Sequence, residues 1–577
     1  MPRSDLRSIT AAPMRSQRRP LAASASLSVM RIGVELLQPW PLAIAVDYAI
    51  TREKLLPDWL PAVSPVGLLV GCAVAVIVLA ILAGLLDMAA TRSAEQAAER
   101  LGAELRRSVF NRVMALSLRW HDGLSSGELV SRLTTDIGRL LDAIVALTVD
   151  LVPNVLTLLG VLTLLVTLNP TLAGIGIAVL PLLAVLSVQQ RRMVRASQQA
   201  ARAESGRLAA TTTDLLRNVR AVQAFGRADR AGGIFQQRNR SALDVAIRAV
   251  ATEARWTPVS AFVLAIGSGF VLLVGGIQVI RGTHSVGELL VVLAYVRELY
   301  APVRSLTRLS SVLAKASASA TRVAEILECE ESIREVSGAM TAPASLSRVQ
   351  FVDVDFAYDT HHQVLRGFDL ELAAGETVCL LGPSGCGKST ILHLLLRLYD
   401  VDGGQVLING ADIRRYDLRS LRERIAFVPQ DPWLLDGTIA QNIAFGSRTA
   451  TRAEVVDAGR RARVDEFTDR LPLGYDNSIG EGGARLSGGQ RRRIAIARAG
   501  VSTASLILLD EPTASLDAAA AAQVIGAIQA STARRTTLIV THDAELARIA
   551  DRVITLAPTA VGAAGREDQF VTSIERR

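Results

Sequence analysis

The sequence predicts a chain in two parts: an all-α membrane domain of about six helices with long polar helical extensions, then an α/β domain on a mostly parallel sheet. Three observations support this. Apolar runs of bilayer length recur as far as about residue 310. From about Val349, short β-rich runs alternate with amphipathic helices. The chain has 577 residues, too many for one compact core, and is 50% hydrophobic yet 20% charged, which suits an apolar part joined to a water-soluble one. The expected division is a polar tail at 1–20, the membrane domain at 21–310, a helical extension and linker at 311–347, and the α/β domain at 348–577.

A membrane helix needs roughly 20 apolar residues. The first run, about Leu21 to Ile50, is interrupted by Arg31, Glu35 and Asp47, and the second covers about Ala62 to Ala90. The third and fourth, about Ile144 to Leu168 and Thr171 to Val188, are separated by Asn169 and Pro170, a tight hairpin signal. The fifth is about Pro258 to Ile280, and the sixth, about Val286 to Leu306, contains Arg297 and Glu298. The outer loops are short, at 51–61, 169–170 and 281–285. The inner connections are long and rich in helix formers, so helices two to five are expected to continue well past the bilayer. Glycine-containing breaks at 120–129 (Gly123, Gly127) and 223–230 (Phe225, Gly226) mark where these helices reverse, and such tips suit a grip by a soluble domain. Charged residues inside the runs (Glu35, Asp47, Asp150, Arg297, Glu298) are expected to pair with one another or to lie near span ends, with cavity-lining groups that contact a substrate as the alternative.

The net charge of +8 alone would fit a nucleic-acid partner. Its distribution argues for a membrane instead. Arginines crowd the inner connections (Arg106, Arg107, Arg112 and Arg119; Arg191, Arg192, Arg195 and Arg202), the positive-inside pattern. That pattern places the N-terminus and the α/β domain in the cytoplasm of a multi-pass cell-membrane protein, with no nucleic acid as partner. The first twenty residues (Arg3, Arg7, Arg15, Arg18, Arg19) lack the apolar core of a secretory leader and read as a cytosolic tail, with a mitochondrial presequence as the alternative. The four cysteines, Cys72, Cys329, Cys379 and Cys386, have no metal-ligand spacing and read as reduced thiols.

The strongest motif is Gly382-Pro383-Ser384-Gly385-Cys386-Gly387-Lys388-Ser389, a full GxxxxGK[ST] phosphate loop. It follows an apolar strand at 377–381 and opens a helix from Thr390. Backbone N–H groups of the loop suit phosphates, Lys388 reaches the terminal ones, and Ser389 suits Mg²⁺. The run Leu506-Ile507-Leu508-Leu509-Asp510-Glu511 is a buried strand ending in two carboxylates, Asp510 suited to Mg²⁺ and Glu511 to polarising the attacking water.

Leu486-Ser487-Gly488-Gly489-Gln490 resembles the signature of ATP-binding cassette (ABC) proteins, and the chain is similar to an ABC exporter half-transporter of the type IV fold. The resemblance spans almost the whole chain, including Gly127 to Leu133. It implies a six-helix transmembrane domain fused to a P-loop NTPase cassette, with ATP and Mg²⁺ as cofactors. It also implies a head-to-tail dimer in which Ser487 of one copy caps the nucleotide held by Lys388 of the other. Residue by residue it implies that Tyr358 stacks on adenine, Gln430 contacts Mg²⁺ and water, and Ser515-Leu516-Asp517 couples the two sites. It makes His542 the switch histidine, and it makes Glu481, within Gly480 to Gly483, the loop residue that touches coupling helices at the two tips. After Leu556 the family's glycine-turn strand pair is hard to find in 557–565.

The expected function is ATP-driven export by alternating access. The cargo is unresolved among lipids, peptides, drugs and other amphipathic compounds. An importer of metal-chelate type and an ATP-gated channel or regulator are the alternatives. A homodimer suffices, because both halves of the ATP site are present; a heterodimer also fits.

Overall fold

The computed structural model describes residues 16–51, 64–329, 333, 335–336, 338–359, 362–556 and 571–576. Most of the expected tail and most of the first outer loop lie outside these. The chain forms two compact units. One contains residues up to Met114 and Ser126–Cys329, and the other combines Ala115–Ser125 with Glu330–Arg577.

The first unit is helical. It begins with α1 (Arg18–Ile50), which has a turn at Gln38–Pro39, and α2 (Pro65–Ala115), 51 residues long. After the short α3 (Leu118–Asp122), a member of the second unit, come α4 (Ser126–Leu168), α5 (Pro170–Arg217), α6 (Val219–Ala224), α7 (Ala228–Ile280), α8 (Val286–Glu298) and α9 (Tyr300–Glu328). The first half of α2 exposes Val66, Val70, Ile77, Val78, Ile81 and Leu85. A helix apolar all round is stable in lipid, not in water.

Among the described residues, four helices carry segments long and apolar enough to span a bilayer: α1, α2, α4 and the Ala261–Ile280 part of α7. Of the fourth apolar run, the described apolar stretch is Pro170–Leu182 at the start of α5. The sixth is divided between α8 and α9 just after Arg297 and Glu298.

Asn169 caps α5 by accepting from the N–H groups of Thr171 and Leu172 at 3.1 Å, with Pro170 at the first helical position where its missing N–H costs nothing. Around this hairpin Val161, Leu165, Leu172, Val271, Val291, Val292 and Tyr295 form a buried core. Two of the charged residues within the runs find different solutions. Glu35 accepts from Arg31 at 2.8 Å, a partner one turn away on its own helix and not another of the charged residues expected to pair. Asp47, 4% exposed, has no cationic partner among the described residues and accepts from Ser285 Oγ (2.5 Å) and the N–H of Gly287 (2.7 Å).

In the second unit, β1 (Arg348–Asp359), β2 (His362–Ala373), β4 (Gly403–Ile408) and β5 (Ala411–Asp412) form an antiparallel sheet in the order β2-β1-β4-β5. A second sheet has the order β10-β9-β3-β8-β7-β6, from β3 (Thr377–Leu381), β6 (Ile425–Val428), β7 (Leu506–Asp510), β8 (Thr536–Thr541), β9 (Arg552–Leu556) and β10 (Val571–Arg576). All but β10 run parallel. The parallel sheet matches the sequence expectation, and the antiparallel one adds to it. β10 supplies a strand after Leu556 where none was readable, and 557–570 lie outside the described residues.

Side chains of the parallel strands alternate between two cores. Leu506, Leu508, Leu538 and Val540 enter one, and Ile507, Leu509 and Ile539 enter the other. A parallel strand buried on both faces must be apolar at every position, which is why β7 reads as an unbroken run. The helices that matter below are α10 (Lys388–Leu395), α11 (Gly488–Val501) and α12 (Ala518–Thr532).

Candidate active site

The loop between β3 and α10 closes through two left-handed glycines, Gly385 (φ 85°) and Gly387 (φ 92°). A β-carbon at Gly387 would also lie 3.1 Å from Val364 and Leu365 of the antiparallel sheet. The unpaired N–H groups at the start of α10 make this an anion-binding concavity. Lys388, 5% exposed, arches over the loop and donates to the carbonyls of Gly382 (2.8 Å) and Pro383 (2.7 Å). Its Nζ is also 4.0 Å from Glu511 Oε1.

Asp510 ends β7 and Glu511 directly follows it at the C-terminal edge of the parallel sheet, where ligands collect in open α/β folds. Ser389 Oγ donates to Asp510 Oδ1 at 3.0 Å. Burial holds the Asp510 carboxyl above its ordinary range, opposed by the Ser389 bond. Glu511 is buried, has positive φ (44°), and meets His542 Nδ1 at 2.5 Å through Oε2. One carboxylate is thus placed beside a hydroxyl as a pair of hard oxygen donors, and its neighbour lies between an ammonium and an imidazole. Among the described residues no group of three or more His, Cys, Asp and Glu forms a metal cage.

A second group of residues surrounds the start of α11. Ser487 caps this helix with a reciprocal box: its Oγ accepts from the Gln490 N–H (3.3 Å), and Gln490 Oε1 accepts from the Ser487 N–H (2.9 Å). Gly488 faces Leu516 and Gly489 faces Ala520, so the helix start packs on Ser515-Leu516-Asp517 and α12. Ser515 has positive φ, and Asp517 caps α12 by accepting from the Ala520 N–H at 2.8 Å. Among the described residues Ser487 makes its hydrogen bonds with Gln490 and Arg491 and none with the phosphate loop. Gln430, exposed just past β6, is reached through its carbonyl by Arg492 of α11 at 3.5 Å.

Tyr358, near the end of β1, is half-buried beside the phosphate loop. Its hydroxyl is 3.0 Å from Thr390 Oγ1 and 3.3 Å from His393 Nδ1. Burial raises the Tyr358 phenol and lowers the His393 imidazole. Phe356 and Tyr399 meet Tyr358 edge to face, with centroids 5.0 and 5.2 Å away. Sequence reasoning missed Tyr399, His393, Arg492, Arg119 and Asp122, which belong to no phosphate or carboxylate motif.

Of the two tips, Gly123 ends α3, whose residues belong to the second unit, and Leu118 packs against the β1–β2 side of its core. Gly127 opens α4. Phe225 and Gly226 (φ 60°) form the break between α6 and α7 in the first unit, with Phe225 79% exposed. Glu481 lies in a 3₁₀ turn.

A phosphate loop and paired carboxylates on a parallel sheet, in one chain with bilayer-length helices, define an ATP-hydrolysing membrane transport protein. Residues 21–303 match the ABC transporter transmembrane region, and residues 365–514 match the ABC transporter family model. The chain belongs to the ABC transporter family. It is 33% identical to the ATP-dependent lipid A-core flippase of Syntrophus aciditrophicus (strain SB) over 79% of this chain and 76% of that one. It is 34% identical to the fatty acid ABC transporter ATP-binding/permease protein of Mycobacterium tuberculosis over 82% of this chain and 74% of that one. Among solved structures, a bacterial Atm1-family ABC exporter with ATP bound matches with a TM-score of 0.78 and 27% identity, covering 93% of this chain and 94% of that one. The fold is that of an ABC exporter, and ATP hydrolysis is coupled to transport.

Proposed function

We propose that two copies of the chain export an amphipathic, lipid-like compound across the cell membrane by alternating access. One observation carries this reading. Lys388, Ser389, Asp510, Glu511 and His542 converge on one sheet edge, while the second anion-binding helix start, at Ser487, is engaged with other residues of its own chain. Two separated half-sites in one chain make complete sites when two chains meet head to tail. Closure of the cassettes then shifts a two-state equilibrium of the membrane helices.

In this reading Lys388 and the N–H groups of 384–390 hold the phosphates, and Tyr358 stacks on the adenine. Asp510, Ser389 and Gln430 would hold Mg²⁺, and their oxygen donors suit it, since Mg²⁺ is commonly held by one or two carboxylates plus substrate phosphates. When bound, the metal neutralises charge on the phosphates. Glu511 orients and polarises the attacking water, and His542 touches the γ-phosphate. Gly123 and Phe225 mark the tips through which the cassettes move the helices. The names of the two relatives support a lipid-like cargo, and the relatives' bacterial sources support a bacterial cell membrane with the cassettes in the cytoplasm.

Mixing chains tests the shared site. A dimer of one Lys388→Ala chain and one Ser487→Arg chain has a single intact composite site, whereas each variant alone has none. Nucleotide retention restored only in the mixture supports the reading; no restoration refutes it. Accumulation of labelled lipid in inside-out vesicles then tests direction.

A further inference from the structure

The contact that joins α3 to the cassette ends beside Tyr358. Tyr399 Oη donates to Asp122 Oδ2 at 2.7 Å. The ring of Tyr399 meets Tyr358 edge to face at 5.2 Å and Phe356 at 5.6 Å. Arg119, three residues before Asp122, donates to the carbonyl of Ala357 at 3.1 Å, one residue before Tyr358. The segment therefore holds Tyr358 at two points, through the ring of Tyr399 and through its own preceding peptide. On either side the segment continues into α2 and α4, which carry bilayer-length apolar stretches.

We propose that Asp122 and Tyr399 are positioning residues that set the orientation of the Tyr358 ring, so that α3 senses whether a nucleotide base is stacked there. The proposal rests on the reading of Tyr358 as the adenine platform. Asp122 is exposed, whereas Tyr399 is buried. A base that moves Tyr358 displaces Tyr399, and with it the carboxylate at the end of α3. The same linkage runs in reverse: a shift of α3 alters how well the base binds, because coupling between two sites is reciprocal.

The test uses the full-length protein in lipid nanodiscs and reads KM for ATP separately from kcat. Tyr399→Phe keeps the ring and removes the donor, and Asp122→Ala removes the acceptor at an exposed position where folding is not at stake. Each is expected to raise KM roughly two- to tenfold, the range that one net hydrogen bond supports. Asp122→Asn, which still offers an acceptor, is expected to restore KM. In a Tyr358→Ala background, Tyr399→Phe is expected to add nothing, because a relay is non-additive with its endpoint. A purely structural tether would instead lower kcat and add fully to Tyr358→Ala. Additive effects, or unchanged KM in Tyr399→Phe and Asp122→Ala, overturn the relay and leave the platform intact. Unchanged KM in Tyr358→Ala itself removes the platform, and the relay with it.

Discussion

His542 Nδ1 and Glu511 Oε2 are 2.5 Å apart, although the two residues directly follow different strands, β8 and β7. The carboxylate also has Lys388 Nζ 4.0 Å from its other oxygen. Glu511 is therefore fixed from both sides before any reaction begins, and fixed groups are what phosphoryl transfer needs.

Replacing Glu511 with Gln keeps the shape and removes the base. Phosphate release is expected to fall on the order of 10²- to 10⁴-fold while ATP still binds. Release of radiolabelled phosphate, paired with retention of nucleotide on a desalting column, checks this. A variant that hydrolyses at the parent rate would remove Glu511 from its role.

Gly387→Ala places a β-carbon 3.1 Å from Val364 and Leu365 at φ 92°, a backbone that L-residues avoid. The loop should shift and lose its phosphate geometry. ATP affinity is expected to drop at least tenfold by equilibrium titration, with secondary structure unchanged by circular dichroism. Lys388→Ala should likewise abolish productive binding.

Asp510→Asn should separate stability from function. Burial raises the Asp510 carboxyl in the folded protein, so folding opposes its charged form. An acid with a raised folded value destabilises the fold increasingly as pH climbs above its unfolded value, up to its folded one. At pH 7 the asparagine variant is therefore expected to melt higher, by about 2–4 °C for each ~1 kcal/mol relieved. The gain should shrink as pH falls toward the ordinary carboxylate range. ATPase activity should nevertheless be lost. Thermal scans from pH 5 to pH 8 decide, and a gain that grew on acidification would contradict the assignment.

Asp47→Ala leaves the Ser285 hydroxyl and the Gly287 N–H without their buried acceptor, at a cost of roughly 1–3 kcal/mol. Asp47→Asn keeps an acceptor and should recover most of the loss. Melting in detergent reads this directly. If Asp47→Ala instead changed cargo selectivity at unchanged stability, Asp47 would be a cargo contact.

The cassette's chemistry was legible because its motifs are local. A phosphate loop needs its glycines consecutively, and a parallel strand buried on both faces has to read Leu506-Ile507-Leu508-Leu509. The Asn169–Pro170 hairpin was readable for the same reason, since cap and first-turn proline are neighbours in sequence. Tyr399 and Asp122 were not readable, because their bond joins positions 277 residues apart and neither lies in a pattern of its own. The sixth span blurred because Arg297 and Glu298 lower its hydropathy just before the helix breaks at Leu299. Asp47 accepts from a hydroxyl and a peptide N–H at the start of α8, partners that no local pattern around Asp47 announces.

The reciprocal box at Ser487 has a practical corollary. With one of its two lone pairs accepting from Gln490, the hydroxyl keeps its proton to give, and an incoming oxyanion can accept it. Alanine there would unwind the helix start as well as delete that proton, and the two defects would be confounded in any assay. Threonine preserves the cap and varies only the bulk, which makes it the cleaner probe of what approaches this helix.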